Sequence, residues 1–358
     1  MRQKKNDKVS EILRKIAPGT TIREGLDNIL KARTGGLILF TDNEEVLKNL
    51  VDGGFFINEE YSSSKLYELA KMDGAIVLSA DMKKILYANA QLIPSRDIVT
   101  IETGTRHRTA ERTAKQTGEL VISISQRRNI ITIFKENERY ILEDTEVVLN
   151  KANQAIKTLE KYKKVFDSKL NILNEYEFND IVTLDNVIGV VQRAEMVMQI
   201  VMEIQKQVAE LGVDGRLVSM QLEQLIGGIE KEELLIVKDY SLKSKQTAEE
   251  IIEELSNMEY EELIKEINIA KILGYEIFEN YEEVNVYPKG YRILNKIPRM
   301  PSNIVENLIQ GFESLQHIID ASIEELDKVD GIGEVRAKNI KRSLKRMQEQ
   351  FVFENILT

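Results

Sequence analysis

Cysteine and tryptophan are absent from this chain. Without thiolates there can be no disulfide, no cysteine zinc site, no iron–sulfur cluster and no cysteine nucleophile. Histidine is scarce as well: His107 and His317 are the whole complement, far apart in sequence. That excludes a histidine-built metal centre and a HExxH protease. No run of about 18 consecutive apolar residues occurs, so no membrane span is expected. The opening Met-Arg-Gln-Lys-Lys-Asn is polar and leads into no apolar stretch, which argues against a signal peptide. The cytoplasm is the expected location. Five prolines and 19 glycines exclude collagen-like and low-complexity architectures. The GxxxxGK and GxGxxG phosphate loops are also missing.

What is present is an ordinary globular composition, 42% hydrophobic and 30% charged, over 358 residues. That length suggests two or three domains. The net charge of −10 is unevenly spread. Residues 1–145 carry a net +2, residues 146–288 a net −13 and residues 289–358 a net +1. The acidic middle should repel nucleic acid, whereas the two ends need not.

The three segments also differ in period. In the first, helical and strand signals alternate. Thr20-Thr21 with Glu24 reads as a capping-box start of a helix ending near Arg33. Gly35-Gly36 breaks it, and Leu37–Phe40 reads as a buried strand. Ala75–Leu78 and Ile85–Ala88 read as further strands, and Leu120–Ile124 with Ile130–Phe134 as a hairpin. This is an α/β domain with a central sheet. From Val148 to Leu170, apolar residues recur at helical spacing, and similar stripes run from Val187 to Leu211 and from Leu217 to Val237. A helical bundle or spine follows, with no chemistry of its own. The third segment begins near Pro288 and contains a repeat. Ile297-Pro298-Arg299-Met300-Pro301 aligns with Val329-Asp330-Gly331-Ile332-Gly333, and the same offset pairs Val305 with Ala337, Leu308 with Ile340 and Phe312 with Leu344.

The second copy looks like a helix–hairpin–helix motif. Gly331 and Gly333 let backbone approach a phosphate, and the following helix offers its free N–H groups. Arg336, Lys338, Lys341, Arg342, Lys345 and Arg346 lie on that helix and attract a polyanion. Such contacts hold nucleic acid without reading sequence. The first copy has Pro298 and Pro301 where glycines would stand. The plainer reading, a Gly-x-Gly link in an ordinary helical domain, does not explain the basic helix.

In the N-terminal segment, Thr103-Gly104-Thr105-Arg106-His107-Arg108-Thr109 reads as a loop entering a helix. Cations in a first helical turn oppose the macrodipole, and a bound polyanion removes the conflict. A solvated basic helix start is the alternative. Asp73-Gly74 precedes a buried strand. Asp-Gly alone is a turn, yet a carboxylate at a sheet edge also holds magnesium beside phosphates. Arg127 and Arg128 add charge if the sheet brings their hairpin near.

Leu66–Ala75, containing Asp73-Gly74-Ala75, and Gly104–Arg112, containing Arg106-His107-Arg108, resemble the DGA and RHR motifs of diadenylate cyclases. With the helical spine and the hairpin end, the whole chain resembles the DNA integrity scanning family. The resemblance implies an α/β cyclase domain with a central mixed sheet over 1–145. An all-α linker over 146–288 and an all-α tandem helix–hairpin–helix domain over 289–358 would follow. It implies condensation of two ATP into cyclic di-AMP with release of two pyrophosphates, with Mg²⁺ or Mn²⁺, in an octamer regulated by DNA, branched or recombination intermediates included. Residue by residue, it makes Asp73 the metal ligand that helps activate the 3′-hydroxyl. Gly74 would lie against the nucleotide and Leu92 line the adenine slot. Thr105, Arg106, His107, Arg108 and Thr109 would cradle the phosphates, with Ser125 and Arg128 at the triphosphate end. Two other readings compete: a DNA-binding scaffold whose first domain only senses nucleotide, and a repair nuclease. The nuclease lacks a cluster of metal-binding carboxylates.

Overall fold

A computed structural model describes residues 7–243, 245–276 and 283–354. The polar opening Met1–Asn6 lies outside the described residues. The chain divides into two compact units. The first runs to Asn153 and takes back Gln205–Ser219; the second holds Gln154–Ile204 and Met220–Thr358.

The first unit is a three-layer α/β/α domain. Its strands are β1 (Gly36–Phe40), β2 (Val51–Asp52), β3 (Phe55–Glu60), β4 (Ala75–Leu78), β5 (Lys84–Leu92), β6 (Leu120–Ser125), β7 (Ile130–Lys135) and β8 (Glu138–Leu142). They form one mixed sheet in the order β2-β5-β4-β1-β6-β7-β8, with β3 also on β5. Only β1 and β4 run parallel; Ile38 pairs with Ile76 there. β1 is central and buried at every residue, which is why it reads as an unbroken apolar run. Its alternate side chains serve two cores. Ile38 and Phe40 pack with α1 (Asp7–Lys15), α2 (Thr21–Ala32) and α4 (Ser63–Leu69) through Leu13, Leu26, Ile29 and Leu66. Leu37 and Leu39 pack with α3 (Glu44–Leu50) and α5 (Thr105–Thr117) through Val46, Leu50, Ala110 and Ala114. The small Ala110 and Ala114 bring α5 down onto the sheet, with His107 one turn earlier on the same stripe.

Two local expectations change. The cap of α2 is Thr20, whose hydroxyl accepts the Arg23 N–H at 3.2 Å, so Glu24 plays no part in a capping box. Asp73 stands two residues before β4, which lies between β1 and β5, rather than at a sheet edge.

Two long helices, α6 (Thr145–Asn179) and α7 (Leu184–Leu211), contribute to both units. Within the first unit, Glu210 at the end of α7 accepts the Tyr140 hydroxyl at 2.5 Å and the Glu143 N–H at 3.1 Å.

The second unit is helical. The stripe from Leu217 to Val237 is two helices, α8 (Arg216–Ile226) and α9 (Ile229–Tyr240), because Gly228 adopts φ +91° between them. Beyond them come α10 (Ala248–Ser256), α11 (Tyr260–Leu263), α12 (Glu266–Leu273), α13 (Tyr291–Leu294), α14 (Ser302–Gly311), α15 (Leu315–Asp320), α16 (Ile323–Asp327) and α17 (Glu334–Glu354). The repeat partners Val305 and Ala337, Leu308 and Ile340, share one core. The equivalence reaches the backbone and corrects the proline expectation: Arg299, not Pro298, stands at the first glycine position and takes φ +60° where its repeat partner Gly331 takes φ +78°.

A buried polar cluster ties the linker to the hairpin domain within this unit. Arg292 is fully buried. Its guanidinium donates to Asn174 and Glu177 of α6. Asp239 of α9 accepts the N–H groups of Gly290, Tyr291 and Arg292 at 2.7, 2.6 and 2.9 Å, capping α13. Tyr240 donates to Glu177 at 2.7 Å. Removing one partner of such a cluster strands the other in a low dielectric. Arg292→Met is therefore expected to lower the unfolding free energy of the second unit by about 3–5 kcal/mol in denaturant titration. Adding Glu177→Leu should recover part of the loss, because the stranded carboxylate goes with it.

Candidate functional site

The helix start that the sequence singles out is uncapped and basic. Gly104 caps α5 and supplies no side-chain hydrogen bond. The first helical bond is Arg108 N–H to the Gly104 carbonyl at 2.8 Å. The N–H groups of Thr105, Arg106 and His107 thus have no intrahelical acceptor. No acidic residue occupies the first turn. Thr105 and Arg108 are exposed, and Arg106 and Thr109 half-buried.

Three elements converge on that start. The Asp73 carboxylate, just before β4, is fully solvent-facing and lies 3.9 Å from an Arg106 guanidinium nitrogen. A Cβ at Gly35, just before β1, would sit 2.6 Å from the other terminal nitrogen of Arg106. Gly35, whose sequence signature is only that of a helix breaker, is thus the space in which Arg106 lies. From the β6–β7 turn, Arg128 reaches the Thr103 hydroxyl at 3.4 Å. The sheet thereby brings Asp73 beside Arg106, and Arg128 beside Thr103, at the entrance to the same helix. Arg127, its neighbour in the turn, is exposed.

Four of the named residues serve the fold visibly. His107 is buried under the helix start. Its Nδ1 lies 3.1 Å from the Ser123 hydroxyl and its Nε2 3.4 Å from that of Thr132. Phe134 meets the ring edge-on. Gly74, at φ +90°, packs against β5: a Cβ would meet the Ala90 carbonyl oxygen at 2.7 Å. Leu92 belongs to the second core and pairs with Val51. The Ser125 hydroxyl accepts the Arg128 N–H at 3.1 Å and closes the turn.

Among the described residues, no group of three or more His, Asp or Glu is arranged to hold a metal. The donor set near α5 is the single carboxylate of Asp73. That would fit an ion brought in with nucleotide phosphates, which would supply most of its oxygens, and does not fit a preformed protein cage.

At the other end, the two hairpin glycines do different work. Gly331 has a left-handed φ and packs on Ile304, 2.6 Å from where its Cβ would be. Gly333 has nothing within 4 Å of its Cβ position and no strained φ. The fold needs the first; the second leaves open backbone at the start of α17. Some of the cations are engaged: Arg336 donates to the Gly331 carbonyl, Lys338 pairs with Glu334, and Lys341 donates to the Ile319 carbonyl at 2.6 Å. Arg342, Lys345 and Arg346 are exposed.

A mixed-sheet domain followed by a helical linker and a tandem hairpin end is how this chain, of the diadenylate cyclase class, is built. Residues 23–139 match the family described as DisA bacterial checkpoint controller nucleotide-binding. Residues 142–281 match the DisA bacterial checkpoint controller linker region, and residues 291–346 a SAM-like helix-hairpin-helix tandem. The DNA integrity scanning protein DisA of Acetivibrio thermocellus is 54% identical over 353 residues, covering 99% of this chain and 98% of that protein. DisA of Clostridium botulinum strain Loch Maree is 52% identical over 356 residues, covering 99% and 100%. DisA of Clostridioides difficile strain 630 is 56% identical over 337 residues, covering 94% of each. The chain belongs to the DisA family, and its activity is that of a diadenylate cyclase. Among the described residues, no helix is long and apolar enough to cross a membrane.

Burial pushes the His107 imidazole below its ordinary value; Glu102 opposes this, and Arg128 and Arg139 add to it. The neutral ring is the folded form. Its contribution to stability is complete above the unfolded value, about 6.5, and is lost as pH falls toward the folded one. An NMR titration should show His107 protonating below about 6.5. His317→Gln identifies its signal, since the chain has only two histidines.

Proposed function

We propose that the start of α5 binds the triphosphate of ATP. The observation that carries this reading is the uncapped helix N-terminus bearing Arg106 and Arg108, with the Asp73 carboxylate 3.9 Å from Arg106. The free N–H groups and the guanidinium forks hold the phosphates, with Thr105 and Thr109 beside them and Arg128 at the far end. His107 acts from beneath, fixing the helix start through Ser123 and Thr132. Leu92 gives the adenine an apolar edge, and Gly74 keeps the Asp73 turn tight.

In the reaction, the 3′-oxygen of one ATP attacks the α-phosphorus of the other and the bond to pyrophosphate breaks. The hydroxyl proton leaves to solvent. The same step in the opposite sense closes the ring, so two cyclase units face each other across a two-fold axis. Arg106 and Arg108 stabilise the charge that moves onto the leaving pyrophosphate. Asp73 orients the reacting end. A bound Mg²⁺ or Mn²⁺, held by Asp73 and phosphate oxygens, supplies charge neutralisation and a more acidic 3′-hydroxyl.

The division of labour that supports this reading is cyclase over 1–145, linker over 146–288 and DNA-binding hairpins over 289–358. DNA, branched forms included, binds at the open backbone of Gly333, with Gly331 shaping the hairpin. Arg336, Lys338, Lys341 and Arg342 add attraction, and bound DNA regulates the cyclase in a cytoplasmic octamer.

Incubation with ATP and Mn²⁺ should yield pyrophosphate and a phosphatase-resistant dinucleotide; release of ADP or AMP alone would exclude this reaction. Asp73→Asn keeps shape and loses charge. Its turnover is expected to fall by about a hundredfold or more while ATP binding persists. Gly333→Leu fits the open space without backbone strain. It should weaken DNA affinity by about tenfold at fixed salt while the DNA-free cyclase rate stays at wild type.

A further inference from the structure

The chain from Ile93 to Gly104, between β5 and α5, has no strand or helix of its own. Its backbone polar groups need partners, and one face of α5 supplies four of them, beside bonds to Leu50 and within the loop. Gln116 accepts the Ser95 N–H at 2.8 Å. Arg112 donates to the Ile98 carbonyl at 2.9 Å, and Lys115 to the Val99 carbonyl at 3.0 Å. At the centre is Glu111. One of its oxygens accepts the Thr100 hydroxyl and, at 3.2 Å, the Ile101 N–H. The other accepts the Lys115 ammonium at 2.7 Å. Glu111 is 5% exposed. Burial works to raise its carboxyl, but Lys115, Thr100 and Ile101 outweigh that and hold it below the ordinary range. Next to Ile101, Glu102 is held by Arg139 at 2.5 Å.

Ile93, Val99 and Ile101 of this loop face outward, while Pro94 and Ile98 are half-buried. Val99 is 79% and Ile101 77% exposed, one on each side of Thr100. Hydrophobic burial therefore does not hold the stretch Val99–Ile101; the polar clasp does. Three residues beyond Ile101 stands Gly104, the cap of α5. Glu111 itself is six residues along the helix, about 9 Å from its first residue, too far to touch a phosphate bound at the helix start.

We infer that Glu111 is a positioning residue for the cyclase reaction: by pinning Thr100 and Ile101 it sets the approach of Thr103 and Gly104 to the triphosphate. This rests on the reading of the α5 start as the phosphate site. A clasp of this kind removes the entropy of ordering the loop when ATP binds. Its loss therefore acts on the ATP concentration needed for half-maximal rate more than on the maximal rate.

The test uses the full-length chain without DNA and follows pyrophosphate release against ATP concentration. Glu111→Ala is expected to raise KM about tenfold or more, since it removes charge-assisted bonds. Glu111→Gln keeps an acceptor for the Ile101 N–H and should recover part of this. Thr100→Val removes one hydroxyl without touching the carboxylate and should raise KM about threefold. Hydrogen exchange across 95–103 should quicken in the same order. Wild-type KM in Glu111→Ala overturns the proposal. So does a loss that Gln does not relieve and Thr100→Val does not share, because that is the pattern of a general defect in folding. If Glu111→Ala fails to fold, the other two variants decide. Arg108→Ala, run alongside, separates the premises. If it raises KM while the Glu111 series does not, only the clasp is wrong; if it too leaves KM unchanged, the phosphate site is wrong.

Discussion

Positive charge at the positive end of a helix is the constraint around which the first unit is arranged. Arg106 and Arg108 stand where the macrodipole disfavours them, and no carboxylate in the first turn relieves the conflict. The rest of the unit fixes that helix in place. Ala110 and Ala114 press it onto β1 and the neighbouring strands, and His107 anchors its first turn from below. The unfavourable electrostatics are therefore retained in the folded chain, available to any anion that relieves them.

Much of the fold is legible in sequence because the signals are local. β1 is apolar throughout since it is buried on both faces, and the β6–β7 hairpin shows two apolar runs across a polar turn. α5 announces itself by its loop and its basic start. The hairpin repeat is visible because the same core positions recur 32 residues apart, as at Val305 and Ala337. What is not legible depends on long-range approach. Nothing local says that Gly35 makes room for Arg106, or that Ser123 and Thr132 close over His107. A histidine between two arginines reads as a ligand-facing cation. Its place on the inward stripe with Ala110 and Ala114 is the clue that it faces the sheet. The cap of α2 shifts by one residue because Thr20 and Thr21 are chemically equivalent candidates, and only backbone geometry chooses between them.

The two hairpins illustrate how one backbone turn tolerates different chemistry. Gly331 takes its left-handed conformation without steric cost, whereas Arg299 takes the equivalent one against it. Pro301 then caps α14 at the position Gly333 occupies before α17. Shape is duplicated, but open backbone is not: only the second copy leaves a helix entrance free of side chain.

The return of Gln205–Ser219 to the first unit has a bearing on how the chain is made. A ribosome releases the whole sheet well before it releases Glu210. Until then Tyr140 and the Glu143 amide lack their partner, and the surface that receives Ala209 is bare. The nascent cyclase unit thus waits for some 60 residues of helix that belong largely to the other unit. For the same reason, excising the domain at the end of its last strand would leave it without its closing segment.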